Sequence, residues 1–152
     1  NEEVNKESFT EDGWFITGDL GRLDKDNFLY LCGRTKNLII LPNGKNVHPE
    51  ELEEIILNNI PYIKEVVVAA SVGNKGEEHA IHAYVYFDPT AIEKEGLEVL
   101  KGRVKEDIRK LNRKLTSYKR INNVFISEKE FEKTTTKKIK RQLIDRRKFK
   151  SA

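Results

Sequence analysis

The stretch from Leu97 to Leu115 sets Leu97, Leu100, Val104, Ile108, Leu111 and Leu115 at spacings of three and four. That spacing gathers them on one face of an α-helix. A one-sided helix must bury its stripe against another layer, and the sequence offers one just before it. Lys64 to Ser71 holds an apolar run over Val66–Ala70, and Ile81, Ala83, Val85 and Phe87 alternate with His82, Tyr84 and Tyr86. The first pattern suits a buried strand and the second a half-buried one. A long helix on a small sheet predicts an α+β domain. With 152 residues, 38% hydrophobic and 35% charged, the chain has the size of one water-soluble domain, or of a domain plus a piece of another. Val66–Ala70 is the longest uninterrupted apolar run, far short of the roughly 20 residues a membrane-spanning helix needs.

The remaining elements follow from local chemistry. Asp12-Gly13-Trp14-Phe15-Ile16-Thr17-Gly18-Asp19-Leu20-Gly21 mixes aromatics with three glycines, which predicts a short strand running into a tight loop. Phe28 to Cys32 and Leu38 to Leu41 read as strands, joined by the polar connector Gly33-Arg34-Thr35-Lys36-Asn37. Asn43-Gly44 then predicts a two-residue hairpin turn. Pro49 in a first turn with Glu50, Glu51, Glu53 and Glu54 predicts a helix ending near Asn58 to Pro61, with Leu52, Ile55 and Ile56 facing inward. Val124 to Ile126 reads as a short third strand, followed by a basic tail with one helical turn around Arg141 to Arg146. The first thirty-odd residues fit this unit poorly. The expected boundary lies near Lys36, separating residues 1–35 from 36–152.

Charge is unevenly spread. Lys133 to Ala152 carries nine basic residues against Asp145 alone, so the tail is +8 and the rest of the chain −5. Such an asymmetry suits a contact with nucleic acid or an anionic membrane, and equally a solvated tail that keeps the protein soluble. The tail opens on Thr134-Thr135-Thr136-Lys137-Lys138, hydroxyls followed by ammonium groups, a composition suited to a phosphate ester. Cys32 is the single cysteine; it can form no internal disulfide or thiolate zinc site, and a reducing, cytoplasmic setting is the expectation. His48, His79 and His82 lack metal-ligand spacing, so no metal site is expected. No targeting segment is visible in the polar first ten residues, and the chain, which lacks Met altogether, reads as starting within a longer protein.

Three residues could carry chemistry. Asp19, after Thr17-Gly18, can accept two hydrogen bonds from the vicinal hydroxyls of a ribose; by position it is also a turn-capping aspartate. Arg34, after a glycine at a strand end, can hold a ribose hydroxyl or phosphate, or form a surface ion pair. Lys138 can bring a positive charge to a phosphate or carboxylate oxygen, or simply face solvent.

In order along the chain, Gly13-Trp14-Phe15-Ile16-Thr17-Gly18-Asp19-Leu20, Gly33-Arg34-Thr35-Lys36-Asn37, Asn43 to Glu53 and Lys133 to Arg141 resemble the C-terminal part of adenylate-forming enzymes. That family includes acyl-CoA synthetases, peptide-synthetase adenylation domains and luciferases. The resemblance runs from about Asp12 to Arg141 and implies a fragment: the last strands of the large AMP-binding domain, a hinge, and the small mobile C-terminal domain with a few-stranded sheet covered by helices. The large domain's own threonine- and glycine-rich phosphate loop has no counterpart here.

By the same resemblance Asp19 binds the ribose hydroxyls of ATP, Arg34 contacts that ribose, Lys36 is the hinge, and Gly44 lines the tunnel for the CoA thiol. Lys138 matches the catalytic lysine that bridges carboxylate and α-phosphate, with Lys137 as runner-up. The family's usual proline before the Lys-Thr pair is Glu132 here, and its usual glycine before the catalytic lysine is Lys137. ATP, Mg2+ and CoA are the implied cofactor and co-substrates, acting with a carboxylic acid and the missing N-terminal domain of the same chain. Lys36 at the hinge and the Asn43 to Glu53 stretch look like the long-chain fatty-acid CoA ligases. Two readings stand beside this one: an adenylation domain loading a carrier protein, and a non-enzymatic basic module binding nucleic acid or anionic lipid. Arg146, Arg147 and Lys148 raise a further expectation of peripheral membrane contact.

Overall fold

The computed structural model describes residues 8–72, 78–144 and 150–151. The aromatic- and glycine-rich opening leads into β1 (Asp19–Leu23), which pairs antiparallel with β2 (Leu29–Arg34) and sets Asp19 opposite Arg34. A bulge between Leu20 and Gly21 bends this ribbon. Its apolar side chains find little cover: Trp14 and Leu31 are each 73% exposed, and Phe28 and Leu29 are nearly as open.

One turn of 3-10 helix over Thr35–Asn37 then leads to β3 (Ile39–Ile40) and β4 (Asn46–Val47), a hairpin pairing Ile39 with Val47. The connecting loop has three residues, where the Asn-Gly pair predicts two. Pro42, with its φ fixed, starts a turn closed by the Gly44 N–H donating to the Leu41 carbonyl at 2.8 Å, and Gly44 takes φ 74°. The Leu41 N–H closes the loop on the Lys45 carbonyl at 3.0 Å. A tight turn followed by one left-handed residue is the usual three-residue hairpin loop.

α1 (Pro49–Asn59) starts as expected, on proline with Glu50 and Glu51 in its first turn, and buries Leu52 and Ile56. β5 (Ile63–Val72) and β6 (Glu78–Phe87) form an antiparallel pair, β7 (Ile121–Ile126) adds parallel to β6, and β8 (Lys150–Ser151) pairs antiparallel with β7. Two helices cross between the parallel strands, as parallel pairing requires. α2 (Pro89–Glu95) was not expected from periodicity. Asp88 caps it by accepting the Thr90 N–H at 2.8 Å, and Gly96, at φ 86°, ends it. α3 (Leu97–Asn112) buries Leu100, Val104, Ile108 and Leu111, whereas Leu97 is partly exposed. It stops three residues short of the expected end. Asn112 there exchanges hydrogen bonds with the Ile121 backbone at 2.8 and 2.9 Å, tying α3 to β7.

α1 and α3 cover one sheet face, contributing Leu52, Ile56, Leu100 and Val104, all with no exposed surface, to a core with Val68, Ala83 and Val85. Burying each leucine contributes roughly 1.5–3 kcal/mol. The other face corrects the half-buried reading of β6. His82 and Tyr84 are both buried: His82 packs edge-on against Phe125 of β7, and the chain after β7 folds back over Tyr84, where Val67, Tyr84 and Phe131 form a second core with Phe125, Ile139 and Ile144 packed against it. The basic tail thus begins as a strap over the sheet. Its expected helical turn is one 3-10 turn over Arg141–Leu143; Arg146, Arg147 and Lys148 lie outside the described residues. The whole is the expected small α+β fold.

Candidate functional site

Thr17 and Gly18 shape the approach to Asp19. The Thr17 hydroxyl accepts the Asp19 N–H at 3.1 Å, and Gly18, at φ 72°, turns its carbonyl to accept the Thr35 N–H at 2.9 Å. These bonds bring the start of β1 against the end of β2. Arg34 Nε lies 3.0 Å from Asp19 Oδ1, and both side chains reach solvent, at 55% and 32% exposure. One carboxylate oxygen and the far end of the guanidinium stay available, so together they can accept from and donate to a pair of hydroxyls.

Beside this pair opens a cleft of about 660 Å3 lined by Thr17, Gly18, Arg34, Lys36, Asn37 and Arg141, among others. Arg34 at this cleft is paired with Asp19 and Arg141 with Glu53, so the charge left to meet an anion there is that of Lys36. Lys36 sits in the 3-10 turn between the β1–β2 ribbon and β3. Gly33 brings the ribbon against α1 closely: a Cβ added there would lie 2.8 Å from Glu50 Oε2 and 3.5 Å from His48 Nδ1. Asn37 Nδ2 donates to Glu50 Oε1 at 2.6 Å.

Arg141 was not singled out from sequence. It pairs with Glu53 of α1, donates to the Val68 carbonyl of β5 at 3.2 Å, and lies 3.9 Å from Glu50. Glu53 also accepts the Val68 N–H at 2.6 Å. Burial pushes the Glu53 carboxyl up to about 7, against the pull of Arg141 and the Val68 N–H. A second buried acid, Glu65 of β5, pairs with Lys133 and accepts the Phe131 N–H at 2.9 Å. The hydrogen bond to Glu65 raises the Lys133 pKa despite some desolvation. One sequence signal could have found Glu65. It precedes the apolar run Val66–Ala70 on a strand, and a buried carboxylate needs a partner.

Lys138 stands apart from the Asp19–Arg34 pair and does not line the cleft; nor does Gly44. Lys138 closes a second three-residue loop, Thr135 to Lys137, in which the Thr134 N–H donates to the Lys138 carbonyl at 2.8 Å and the Lys137 N–H to the Thr134 carbonyl at 2.9 Å. Thr134 Oγ1 accepts the Lys138 N–H at 3.2 Å. Lys137 adopts φ 61°, a left-handed conformation that glycine takes freely and lysine does not. The five residues Thr134 to Lys138 are all exposed. At Gly44 an added Cβ would meet nothing within 4 Å, so backbone conformation rather than crowding calls for glycine there. Among the described residues no three His, Cys, Asp or Glu side chains gather as a metal site. No helix among them is long and apolar enough to cross a membrane.

With the Asp19–Arg34 pair, the cleft beside it and the Lys138 turn in view, comparison with known proteins identifies the family. The family model of the AMP-binding enzyme C-terminal domain matches residues 36–151. The chain belongs to that family. A 2-succinylbenzoate–CoA ligase of Bacillus licheniformis is 41% identical over 104 residues, which are 68% of this chain and 21% of the relative. A long-chain-fatty-acid–CoA ligase of Mycobacterium tuberculosis is 42% identical over 93 residues, 61% of this chain and 14% of the relative. Among solved structures, the A domain of a carboxylic acid reductase from Segniliparus rugosus, in complex with AMP and a co-purified carboxylic acid, aligns with a TM-score of 0.77 and 25% identity, over 93% of this chain and 23% of that one. O-succinylbenzoate coenzyme A synthetase from Bacillus subtilis, in complex with ATP and magnesium, aligns with a TM-score of 0.70 and 28% identity, over 94% and 26%. The chain therefore spans about a fifth or less of the curated relatives' length.

Proposed function

We propose that this chain is the C-terminal part of an ATP-dependent acid–CoA ligase acting in the cytoplasm on long-chain fatty acids. The observation that carries the reading is the Asp19–Arg34 pair, whose arginine lines a cleft together with Lys36 and Arg141, in a chain whose matched relatives carry the names of CoA ligases. The uncovered Trp14, Phe28, Leu29 and Leu31 suit a surface that the large domain of the same enzyme covers.

The chemistry follows from charge. A carboxylate attacking the α-phosphate of ATP brings two anions together, and the transition state gathers further negative charge on the phosphoryl oxygens. Asp19 and Arg34 hold the ribose hydroxyls, which sets the phosphate's position. The Lys138 ammonium offsets the repulsion and stabilises the developing charge, a contribution largest where water is excluded. Acyl-AMP and pyrophosphate result. A thiol then displaces AMP, and the two steps use one site in turn as the small domain rotates about Lys36. Gly44, bare of a side chain, lines the thiol's approach in the second step.

The test is carboxylate-dependent ATP–pyrophosphate exchange by the intact enzyme, across fatty acids of several lengths, succinylbenzoate and amino acids, with Lys138→Ala alongside. Exchange driven by long-chain acids and lost in Lys138→Ala is the expected result, followed by thioester formation with CoA. Exchange that never proceeds to a CoA thioester would favour a carrier protein as acceptor. That second reading is favoured by the likeness to the adenylating domain of a carboxylic acid reductase, whose solved structures include one joined to its carrier domain. No exchange with any acid, or exchange untouched by Lys138→Ala, removes the proposal.

A further inference from the structure

The Lys138 turn has no packing of its own: Thr134 to Lys138 are exposed, and the bonds described above within the turn run from one of its residues to another. Where it stands relative to the sheet is set at its two arms. The first arm, Phe131 to Lys133, meets Glu65, whose side chain is 7% exposed and takes both the Lys133 ammonium and the Phe131 N–H. The second arm, Ile139 to Arg141, meets Glu53, whose side chain is 14% exposed and takes the Arg141 guanidinium together with the Val68 N–H of β5. The two arms are paired to each other through the Lys133–Ile139 bridge and the Lys140 N–H donating to the Glu132 carbonyl at 2.7 Å. Glu65 and Val68 lie three residues apart on β5, so the two anchors are about 10 Å apart along one strand.

We propose that Glu65 and Glu53 are positioning residues for Lys138: two buried carboxylates that bracket the hairpin and fix where the ammonium at its tip stands during adenylation. This rests on Lys138 acting in that step. Apolar contacts from Phe131 and Ile139 hold the hairpin on the sheet, but they are non-directional. Ion pairs carrying hydrogen bonds at both arms fix its register and tilt. Misplacing a catalytic group by about 1 Å can cost on the order of 100-fold in rate, so removing one anchor should show in the chemical step.

The experiment uses the intact enzyme and measures its two half-reactions separately: ATP–pyrophosphate exchange, and CoA-dependent consumption of preformed acyl-AMP. Glu65→Gln keeps an acceptor for the Phe131 N–H and removes the nearer of the two charges that hold Lys133, Glu130 at 3.4 Å being the other. It should lower kcat for exchange by about 10-fold to 100-fold, with KM for ATP and acid and the second half-reaction little changed. Amide hydrogen exchange at Lys137 and Lys138 should quicken in parallel. Lys133→Gln, at a more open position, tests the same anchor should Glu65→Gln fold poorly, and Glu53→Gln tests the other. Lys138→Ala is run beside them. Exchange lost in Lys138→Ala but at the wild-type rate in both Glu65→Gln and Lys133→Gln overturns the bracket. So does an equal fall in both half-reactions, which would mark a role in folding alone. Exchange that survives Lys138→Ala instead overturns the assignment of Lys138 on which the bracket rests.

Discussion

Two hairpin loops in this molecule share one backbone design and differ in what holds them. Leu41 to Lys45 and Thr134 to Lys138 each make a tight turn followed by a left-handed third residue, at Gly44 with φ 74° and at Lys137 with φ 61°. The first loop is rooted in apolar packing, since Ile39, Leu41 and Val47 are all buried. The second is rooted largely in charge, through Glu65 and Glu53. Where glycine costs nothing in the left-handed region, a residue with a Cβ costs roughly 1–2 kcal/mol. The Lys137 turn therefore carries backbone strain that the Gly44 turn avoids. Such strain persists only where surrounding structure over-determines the conformation, and it concentrates at functional sites.

The contrast can be pressed hardest at the roots. Ile39→Ala should cost about 2–5 kcal/mol by emptying a packed site, read from the denaturant midpoint of this chain; a small loss would mean that the first loop does not depend on its apolar root. Only the second loop should respond strongly to pH. Burial holds Glu53 at about 7, above the usual 4.5, with Arg141 and Glu50 the charged groups facing it. The folded state thus holds more protons than the unfolded state between these values, so this carboxyl's share of stability is full below about 4.5 and is lost as pH rises from there through about 7. Comparing wild type with Glu53→Gln across that range should isolate the slope; parallel curves would show that Glu53 titrates normally.

Gly44→Ala should destabilise by about 1 kcal/mol for conformational reasons alone, because an added Cβ meets nothing within 4 Å. The smallest expected effect has the opposite sign. Lys137→Gly should stabilise the folded chain by about 1 kcal/mol or less, since roughly 1–2 kcal/mol of relieved strain is offset by the roughly 0.4–1 kcal/mol of entropy that glycine adds to the unfolded chain. A clear loss of stability on that change would show that Lys137 makes contacts that outweigh its strain.

The sequence made the inner face of the fold readable. Leu52 and Ile56, and Leu100 through Leu111, lie where helical spacing puts them, because a core-facing stripe is a local signal. The seven-residue α2 was too short to show a period, although the Asp88-Pro89 pair that caps and starts it was there to be read. The outer face was misread for a different reason. Tyr84 and Tyr86 look like the solvent side of a strand until the strap from Phe131 to Ile144 packs over them, and nothing local announces a cover supplied from so far along the chain. At the site, Asp19 and Arg34 were legible as residue types suited to hydroxyls, and pairing β1 with β2 brings them together. Glu53, Lys133 and Arg141 were not, and Glu65 showed only that it needs some partner, because acids and bases far apart in sequence become partners only through the sheet.

The strap also has a history within each molecule's life. During synthesis the strands of the sheet leave the ribosome before it does, at about 5–20 residues per second. Until Phe131, Ile139 and Ile144 emerge, Val67, Tyr84 and Phe125 form a bare aromatic and aliphatic surface on a sheet whose helical face can already be closed. The nascent chain thus passes through an interval of stickiness that the finished one does not have, and a synthesis stall between β7 and Arg141 would leave it a substrate for chaperones.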